Sequence, residues 1–240
     1  MDTIGVIADP DQPVFGGAGE RLAARGFRVR FFSPGERVRE TTIDELSALA
    51  AAHADPGSIA ALHYADASAV ETFNGFVSTT ALGNRLVALH ALETVGCRVP
   101  TIWLSEPAEH DAVFRYCQRW PGARAEAPGF YQEAVATADS RHRYYAVNDG
   151  IETHVTAIEL RNEPGAQDRI VDEADVTVER ATRLRELLDD FGARAIAVDF
   201  VRGPDEEWFA VDVDPMPSFS HAGMERHLAN ALASLTTIGA

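Results

Sequence analysis

Two apolar segments near the C-terminus constrain the fold most, because aspartates alternate with their apolar residues. Residues 195–201 read Ala-Ile-Ala-Val-Asp-Phe-Val, and residues 208–214 read Trp-Phe-Ala-Val-Asp-Val-Asp. A Gly-Pro-Asp-Glu run at 203–206 separates them, which predicts two strands joined as a hairpin. Since successive side chains of a strand point to opposite faces of a sheet, the aspartates are predicted to share the face opposite to the larger apolar residues.

The aspartates of this hairpin form a candidate metal site. With the hairpin closed directly after the turn, Asp199 lies opposite Ala210 and diagonal to Asp212, about 7–8 Å away. Carboxylates that lie close together repel one another unless a cation lies between them. Mg²⁺ prefers such oxygen ligands and completes its shell with water and substrate phosphates. A solvated sheet face with scattered aspartates is the alternative interpretation.

The N-terminal third alternates strands and helices. Residues 3–8 and 27–32 predict strands of an α/β layer, and residues 20–25 predict a helix between them. The glycine-rich run at 16–19 does not complete a dinucleotide-binding motif, because the third required glycine would fall on Leu22. We interpret this run as a flexible loop that precedes the helix.

Apolar periodicity predicts further elements along the rest of the chain. The predicted helices cover residues 42–54, 79–95, 177–191 and 224–235. The predicted strands cover residues 130–135, 143–147 and 152–160. We place a candidate domain boundary near residue 100, where an extended Val-Pro-Thr-Ile-Trp segment begins.

Charge and cysteine content exclude several classes of function. The chain has 21 basic and 37 acidic residues, a net charge of −16, and every basic residue is arginine. This negative charge argues against a nucleic acid or an anionic membrane as partner. The absence of lysine excludes any chemistry that needs a lysine as Schiff base, as general base or as phosphate ligand of a P-loop. Two cysteines without a C-x-x-C pair, and no basic segment before the first apolar residues, predict a cytoplasmic protein.

The hairpin region resembles the C-terminal core of the ATP-grasp superfamily, and most closely its glutathione-synthetase-like and ribosomal-protein glutamate-ligase-like carboxylate–amine ligases. Those proteins carry a V-D strand, a short hairpin and then a hydrophobic-E-V-N-x-x-P-G segment. This chain reads Val-Asp at 198–199 and Val-Asp-Val-Asp-Pro-Met-Pro-Ser at 211–218. The resemblance implies that Asp199, Asp212 and Asp214 hold Mg²⁺, with two ions possible, on the phosphates of ATP.

Other segments follow the order of motifs in that family. They are Phe-Asn-Gly at 73–75, Asn-Arg at 84–85, Tyr-Gln-Glu at 131–133, the segment 141–149 and Arg-Asn at 161–162. Arg85 stands at a family lysine, and Gln132 and Glu133 match the hinge that binds adenine. The resemblance therefore implies that Arg85, Gln132, Glu133 and Arg143 bind the nucleotide. It also implies catalytic roles for Arg143 and Arg161.

The chain departs from the family between Trp103 and Tyr131. There the family has a strand with a phosphate-binding lysine, a glycine-rich loop and a helix, whereas this segment is short and lacks both the lysine and a G-x-G run. We expect a reduced lid, with a helix and an irregular loop at 104–129. The candidates for the missing cation are Arg115, Arg119 and Arg124. His221 either contacts the substrate or acts as a base, or it is a histidine of a surface loop.

The sequence thus predicts an α/β (α+β) fold of the ATP-grasp type. Its predicted parts are a small parallel α/β domain (1–75), a linker helix with the reduced lid (76–130) and a C-terminal core (131–240). The predicted function is amide-bond formation through an acyl-phosphate, on a small molecule or a peptide with carboxylate and amine groups. A degenerate ATP-grasp protein, acting as a partner subunit or on another ligand, is the alternative. We expect no nucleic-acid or membrane partner, and a homodimer is left open.

Overall fold

The computed structural model describes residues 2–119, 127–135, 140–161, 169–220 and 222–237 of the chain. Within these ranges the strands form one parallel sheet and two antiparallel sheets. In the described part of the chain, no helix is both long enough and apolar enough to cross a membrane.

The first layer is a parallel sheet with helices packed on it. Its elements are β1 (Thr3–Ile7), α1 (Pro13–Ala24), β2 (Arg28–Phe32), α2 (Glu40–Ile43), β3 (Ala48–Ala51), α3 (Pro56–Ala67) and β4 (Glu71–Phe73). The strands are ordered β2-β1-β3-β4, and all pairs are parallel. This layer agrees with the parallel α/β arrangement predicted for the N-terminal part.

The helix predicted at 42–54 is wrong. The helix α2 ends at Ile43, and the apolar run that follows forms β3, whose four residues are all buried. A strand buried on both faces of a parallel sheet shows no alternation of apolar and polar residues. Periodicity alone therefore cannot distinguish such a short run from a buried helix.

The glycine run at 16–19 lies within α1 and not in a flexible loop. The Gln12 side chain accepts a hydrogen bond from the Phe15 N–H at 2.7 Å, and Pro13 occupies the first helical position. A Cβ at Gly19 would lie 2.9 Å from the ring of Phe31 on β2. Glycine here therefore permits close packing of the helix on the sheet.

The second layer contains two short helices and a three-stranded sheet. Its elements are α4 (Phe76–Gly83), α5 (Arg85–Thr94), β5 (Ile102–Trp103), β6 (Ala112–Tyr116) and β7 (Gly129–Glu133). The antiparallel sheet is ordered β5-β7-β6. The single helix predicted at 79–95 is interrupted at Asn84, whose side chain accepts a hydrogen bond from the Leu86 N–H at 3.1 Å and so starts a new helix.

The helix predicted within 104–129 is wrong for the described residues of that segment. They contain β6, which pairs with β7 along its whole length. The strand β7 crosses the boundary predicted after residue 130, and the domain limits stay predictions. Residues 120–126, including Trp120 and Arg124, lie outside the described residues.

The third layer is a five-stranded antiparallel sheet with two helices. Its elements are β8 (Ser140–Asn148), β9 (Thr153–Arg161), β10 (Arg169–Glu173), α6 (Val178–Phe191), β11 (Ala195–Arg202), β12 (Trp208–Asp214) and α7 (Glu225–Thr237). The strands are ordered β10-β9-β8-β11-β12. The periodicity of the sequence locates most of these elements to within a few residues, and β10 is an additional strand.

The helix α7 joins the first and third layers. It packs against α1 and β8, and its Leu228 is fully buried. It shares a core with Tyr145 and Val147 on one face of β8. The same face of β8 continues to Arg143 and Arg141, which line an open cavity instead. One sheet face is thus apolar at one end and charged at the other.

Asn74 links the N-terminal sheet to the β11–β12 hairpin, which carries the three aspartates. Its side chain is buried and its φ is +58°. Its Oδ1 accepts hydrogen bonds from the Arg194 and Ala195 N–H groups at 2.7 and 2.9 Å. Its Nδ2 donates to the Ala195 carbonyl at 2.6 Å and to the Pro215 carbonyl. One amide therefore connects the end of β4 with the start of β11 and the end of β12.

We expect Asn74→Ala to lower the free energy of unfolding by about 3–4 kcal/mol, because it leaves buried N–H and C=O groups without partners. Urea unfolding of the purified protein measures this. The control Asn148→Ala removes a single hydrogen bond to the Gly150 N–H and should cost about 1 kcal/mol or less. Equal losses in the two variants would contradict the role assigned to Asn74.

Candidate functional site

The aspartates of the β11–β12 hairpin share one face of the sheet, in a register that differs from the predicted one. Asp199 pairs directly with Asp212, because Val211 is an extra residue that forms a β-bulge. Asp214 follows on the same face. The prediction that Asp199 lies opposite Ala210 is therefore wrong. Direct partners lie about 4.5–5.5 Å apart between Cα atoms, which is closer than the predicted diagonal spacing.

Two arginines each bridge two of these carboxylates. Arg119 contacts Asp212 through Nη1, and its Nη2 is 3.3 Å from Asp214 Oδ2. Arg143 has Nε 3.4 Å from Asp199 Oδ1 and Nη2 3.1 Å from Asp214 Oδ2. The side chains of all five residues are largely buried. The cations between the carboxylates are thus guanidinium groups.

Two further arginines complete the charge cluster. Arg85 Nε is 3.5 Å from Asp212 Oδ1, and Arg141 Nε is 3.7 Å from Asp199 Oδ2. The interruption at Asn84 makes Arg85 the first residue of α5, and its Nη1 donates to the Tyr116 carbonyl at 3.0 Å. Four guanidinium groups face three carboxylates, so these seven side chains carry a net charge of 4 − 3 = +1. That excess favours an anionic ligand.

Burial and pairing shift the pKa values of this cluster in opposite directions. Burial raises the pKa of Asp199, and Arg143 and Arg141 offset this only in part. Burial lowers the pKa of Arg143 and of Arg119, but the neighbouring aspartates outweigh it and raise both values. Arg119 and Arg143 therefore stay charged. Burial disfavours the charged form of Asp199, and a further cation would reduce that desolvation cost.

A cavity of about 490 Å³ opens between the three-stranded sheet and the charged face of the third layer. Gln132 is buried in its wall and donates from Nε2 to the Val211 carbonyl at 3.3 Å. Glu133 accepts a hydrogen bond from the Thr101 N–H at 3.0 Å and donates its own N–H to the Thr101 carbonyl at 2.8 Å. The charged residues that line the cavity are Arg115, Arg119, Glu133, Arg141, Arg143, Asp199 and Asp212.

Buried polar atoms that lack a hydrogen-bond partner concentrate around this cavity. Among the described residues they include Nε of Arg85, Arg115 and Arg143, Oε1 of Gln132 and Oδ1 of Asp199. Leaving such atoms unsatisfied is costly, and native proteins contain few of them. Nε of Arg85 and of Arg143 and Oδ1 of Asp199 lie at ion-pair distances of 3.4–3.5 Å from opposite charges, without forming hydrogen bonds. Their hydrogen-bonding capacity is left for a polar ligand.

The aspartates fit Mg²⁺ by the chemistry of their donor atoms. Carboxylate oxygens are the ligands that Mg²⁺ prefers, and it needs few of them from the protein. Asp199, Asp212 and Asp214 are not among the groups of described residues whose ligand atoms all lie within 4.8 Å of one another. The guanidinium groups between them would have to move before the three carboxylates could share one ion.

A second cavity of about 530 Å³ lies beside the first, next to the end of β3. Its wall includes His53 and Asp55 of the first layer and Asp214 of the hairpin. Arg119 lines both cavities. This side chain therefore stands where two ligands bound in the two cavities would meet.

The structure brings together most of the predicted site residues. Arg85, Arg143 and the three aspartates form the charge cluster, and Gln132 and Glu133 line the adjoining cavity. Arg161 is different, because it is exposed at the end of β9 and lines neither cavity. Its catalytic role stays a prediction. His221 and Asn162 lie outside the described residues.

The sequence motifs assign no role to Arg141, and they leave Arg119 as one of three candidates for the missing cation. Arg141 is two residues from Arg143 on β8, and this spacing places both on one sheet face. The sequence pattern alone could therefore have predicted that Arg141 lies beside Arg143. Arg119 follows β6 in an irregular segment, where spacing carries no such information. Only the tertiary structure shows that it contacts Asp212 and Asp214.

The fold is that of known ATP-grasp proteins. No protein-family model matches the chain, and no curated protein is significantly similar in sequence. Solved structures are similar. A RimK domain ATP-grasp protein from Sphaerobacter thermophilus superposes with a TM-score of 0.73 at 13% identity, over 98% of this chain and 99% of that one. The macrocyclase MdnC from Microcystis aeruginosa, bound to the precursor peptide MdnA, superposes at 0.69 and 11%, over 99% and 100%.

A third similar structure contains ligands in the corresponding fold. The ATP-grasp ligase PsnB, complexed with its minimal precursor, Mg and ADP, has a TM-score of 0.65 at 17% identity, over 98% of each chain. At these identities the likeness establishes the fold. The ATP-grasp fold predicted from the sequence motifs is thereby confirmed.

We expect Asp212→Asn to lower the free energy of unfolding of the ligand-free protein by about 1–3 kcal/mol. The change leaves Arg119 and Arg85 with less compensation for their buried charge. Guanidinium chloride unfolding measures this. The control Asp205→Asn affects an exposed pair with Arg98 and should cost about 0.5 kcal/mol or less. A more stable Asp212→Asn variant would mean that repulsion between carboxylates dominates the cluster.

Proposed function

We propose that this chain, which has the ATP-grasp fold, is an ATP- and Mg²⁺-dependent carboxylate–amine ligase. The observation that carries the proposal is the cavity between the two antiparallel sheets. Three carboxylates line one side of it or adjoin it, arginines surround them, and unsatisfied polar atoms point to a polar ligand. The presence of Mg and ADP in the similar structure of PsnB supports a nucleotide as that ligand.

In the proposed reaction, the γ-phosphoryl group of ATP is transferred to a substrate carboxylate, which gives an acyl-phosphate and ADP. An amine then attacks the acyl carbon, phosphate leaves, and an amide bond forms. Bound Mg²⁺ would neutralise the phosphoryl charge during the transfer. Asp199, Asp212 and Asp214 are the side chains that would hold it.

In this proposal, Arg85 and Arg119 take the role of the two phosphate-binding lysines of the ATP-grasp family. Arginine keeps its charge and can bind a phosphate through two parallel hydrogen bonds. Arg85 stands at the first family lysine, and Arg119, one of three candidates for the second, faces the carboxylates beside it. Arg143 stands at a family arginine and faces the same carboxylates. We propose that Arg119 exchanges its carboxylate partners for phosphate oxygens when the nucleotide binds.

The second cavity is the proposed site of the carboxylate substrate. It adjoins the charge cluster through Asp214 and Arg119, so an acid bound there lies next to the nucleotide cavity. The similar structure of MdnC contains a precursor peptide, and that of PsnB contains its minimal precursor. We therefore propose a peptide as substrate of this chain, with a side-chain carboxylate directed at Arg119.

One observation favours the alternative, a degenerate protein without ATP chemistry. Each of the three carboxylates already has at least one arginine partner, so the cluster is compensated without any metal ion. A cluster of this kind can persist as a structural element after catalysis has been lost. A ligase turns over ATP and a degenerate protein does not. The following experiments measure ADP release and the binding of Mg-ATP.

We expect Asp212→Asn to reduce ADP release by at least about 100-fold, because one anionic Mg²⁺ ligand is lost where charge is redistributed in the transition state. ADP release is measured with Mg-ATP and candidate peptides, and circular dichroism confirms the fold. Asp205→Asn is the control and should turn over like the parent. Equal turnover in Asp212→Asn and the parent would remove Asp212 from the mechanism. No nucleotide binding in the parent would favour the degenerate protein.

We also expect Arg119→Ala to weaken the binding of Mg-ATP about 10- to 100-fold, because it removes a charge-assisted contact to phosphate. Isothermal titration calorimetry measures the dissociation constant. Arg37→Ala, which affects an exposed arginine of the first layer, is the matched control and should bind like the parent. Unchanged affinity in Arg119→Ala would show that this side chain stays with the carboxylates.

A further inference from the structure

A group of potential metal ligands lies outside the cavities described above. Asp149 and His154 flank the turn between β8 and β9, and His227 belongs to α7. One ligand atom from each of the three lies within 4.8 Å of the other two. Asp149 is six residues along an extended strand from Arg143, about 20 Å. The group is therefore at the opposite end of the sheet from the charge cluster.

The turn between β8 and β9 holds Asp149 in a fixed orientation. The Oδ1 atom accepts hydrogen bonds from the N–H groups of Ile151 and Glu152, both at 3.1 Å. The Asp149 N–H donates to the Glu152 carbonyl at 3.0 Å. These bonds use Oδ1 and leave Oδ2 directed at His154, 3.0 Å from its Nε2. A carboxylate with one oxygen held by backbone donors is well positioned as a monodentate ligand.

The two histidines stack on each other beside this carboxylate. Their ring centroids are 3.6 Å apart, with an angle of 33° between the planes. Within the described part of the chain, His227 Nδ1 is buried and has no hydrogen-bond partner. A neutral imidazole nitrogen of this kind is a common metal ligand.

We propose that Asp149, His154 and His227 bind a zinc ion. Two imidazoles and one carboxylate suit a borderline transition metal and not Mg²⁺ or Ca²⁺, which prefer oxygen ligands. Neighbouring ligand atoms of a tetrahedral zinc ion lie roughly 3.3 Å apart, given Zn–N and Zn–O bonds of about 2.0–2.1 Å. The Asp149–His154 separation of 3.0 Å is close to that value.

The exposed Glu152 can supply a fourth ligand. Its Oε1 is 3.5 Å from His154 Nε2, and its side chain is 70% exposed. Water can occupy the same position. Asn230, one turn after His227 on α7, places its Nδ2 3.5 Å from Asp149 Oδ2 and supports the carboxylate. The ion would link the β8–β9 turn to α7, and through α7 to the first layer. This inference does not depend on the proposed ligase function.

The test uses the full chain without a polyhistidine tag, treated with a chelator and then dialysed. Zn²⁺ is titrated calorimetrically in excess Mg²⁺, which occupies oxygen-ligand sites. We expect one zinc ion per chain and a rise in Tm of roughly 5–10 °C at a hundredfold excess over Kd. Co²⁺ should give the visible absorption bands of a tetrahedral site. No binding in the parent would overturn the proposal.

Variants decide which residues bind the ion. His227→Ala and the more conservative His227→Gln should each weaken zinc binding at least about 100-fold and remove the zinc-dependent rise in Tm. His90→Ala, which changes an exposed histidine on α5, should bind zinc like the parent. Asp212→Asn should also bind like the parent, which separates this site from the charge cluster. Parent-like zinc binding in a folded His227 variant would overturn the proposal.

Discussion

The opposition of arginines and aspartates in the cleft is the interaction on which the rest of the site depends. Three carboxylates on one largely buried sheet face would repel one another and destabilise the hairpin. Guanidinium groups from three separate segments remove this repulsion, since Arg85 starts α5, Arg119 follows β6 and Arg143 lies on β8. The same contacts hold the second layer against the third. The same ion pairs therefore compensate the buried charges and hold the second layer on the third.

Arginine suits this arrangement in a way that lysine does not. A guanidinium group presents several N–H donors in a plane, so one side chain can bridge two carboxylates, as Arg119 and Arg143 both do. A lysine ammonium is a point charge at the end of a flexible chain. Arg119 and Arg143 thus give the site two rigid bridges. In the proposed ligase, those bridges are also the groups that must change partners when phosphate binds.

The surrounding framework keeps the charged end of the sheet separate from its apolar end. The helix α7 covers Tyr145 and Val147 of β8, and two residues further along the same face Arg143 enters the cluster. Asn74 fixes both strands of the aspartate hairpin to the N-terminal sheet through four hydrogen bonds. Both cavities have walls from more than one layer. The proposed zinc site lies at the other end of β8, where α7 meets the β8–β9 turn.

The sequence by itself determined the strands and helices with strong periodicity, the placement of the aspartates on one face, and the ATP-grasp resemblance that the fold confirms. Only the tertiary structure decided the direct pairing of Asp199 with Asp212, the strand at β3 and the partners of Arg119. Alternation and periodicity report which face a side chain takes within one element. Packing between segments that are distant in sequence sets the register at the bulge, the strand conformation of β3 and the contacts of the Arg119 side chain. No local pattern encodes that packing.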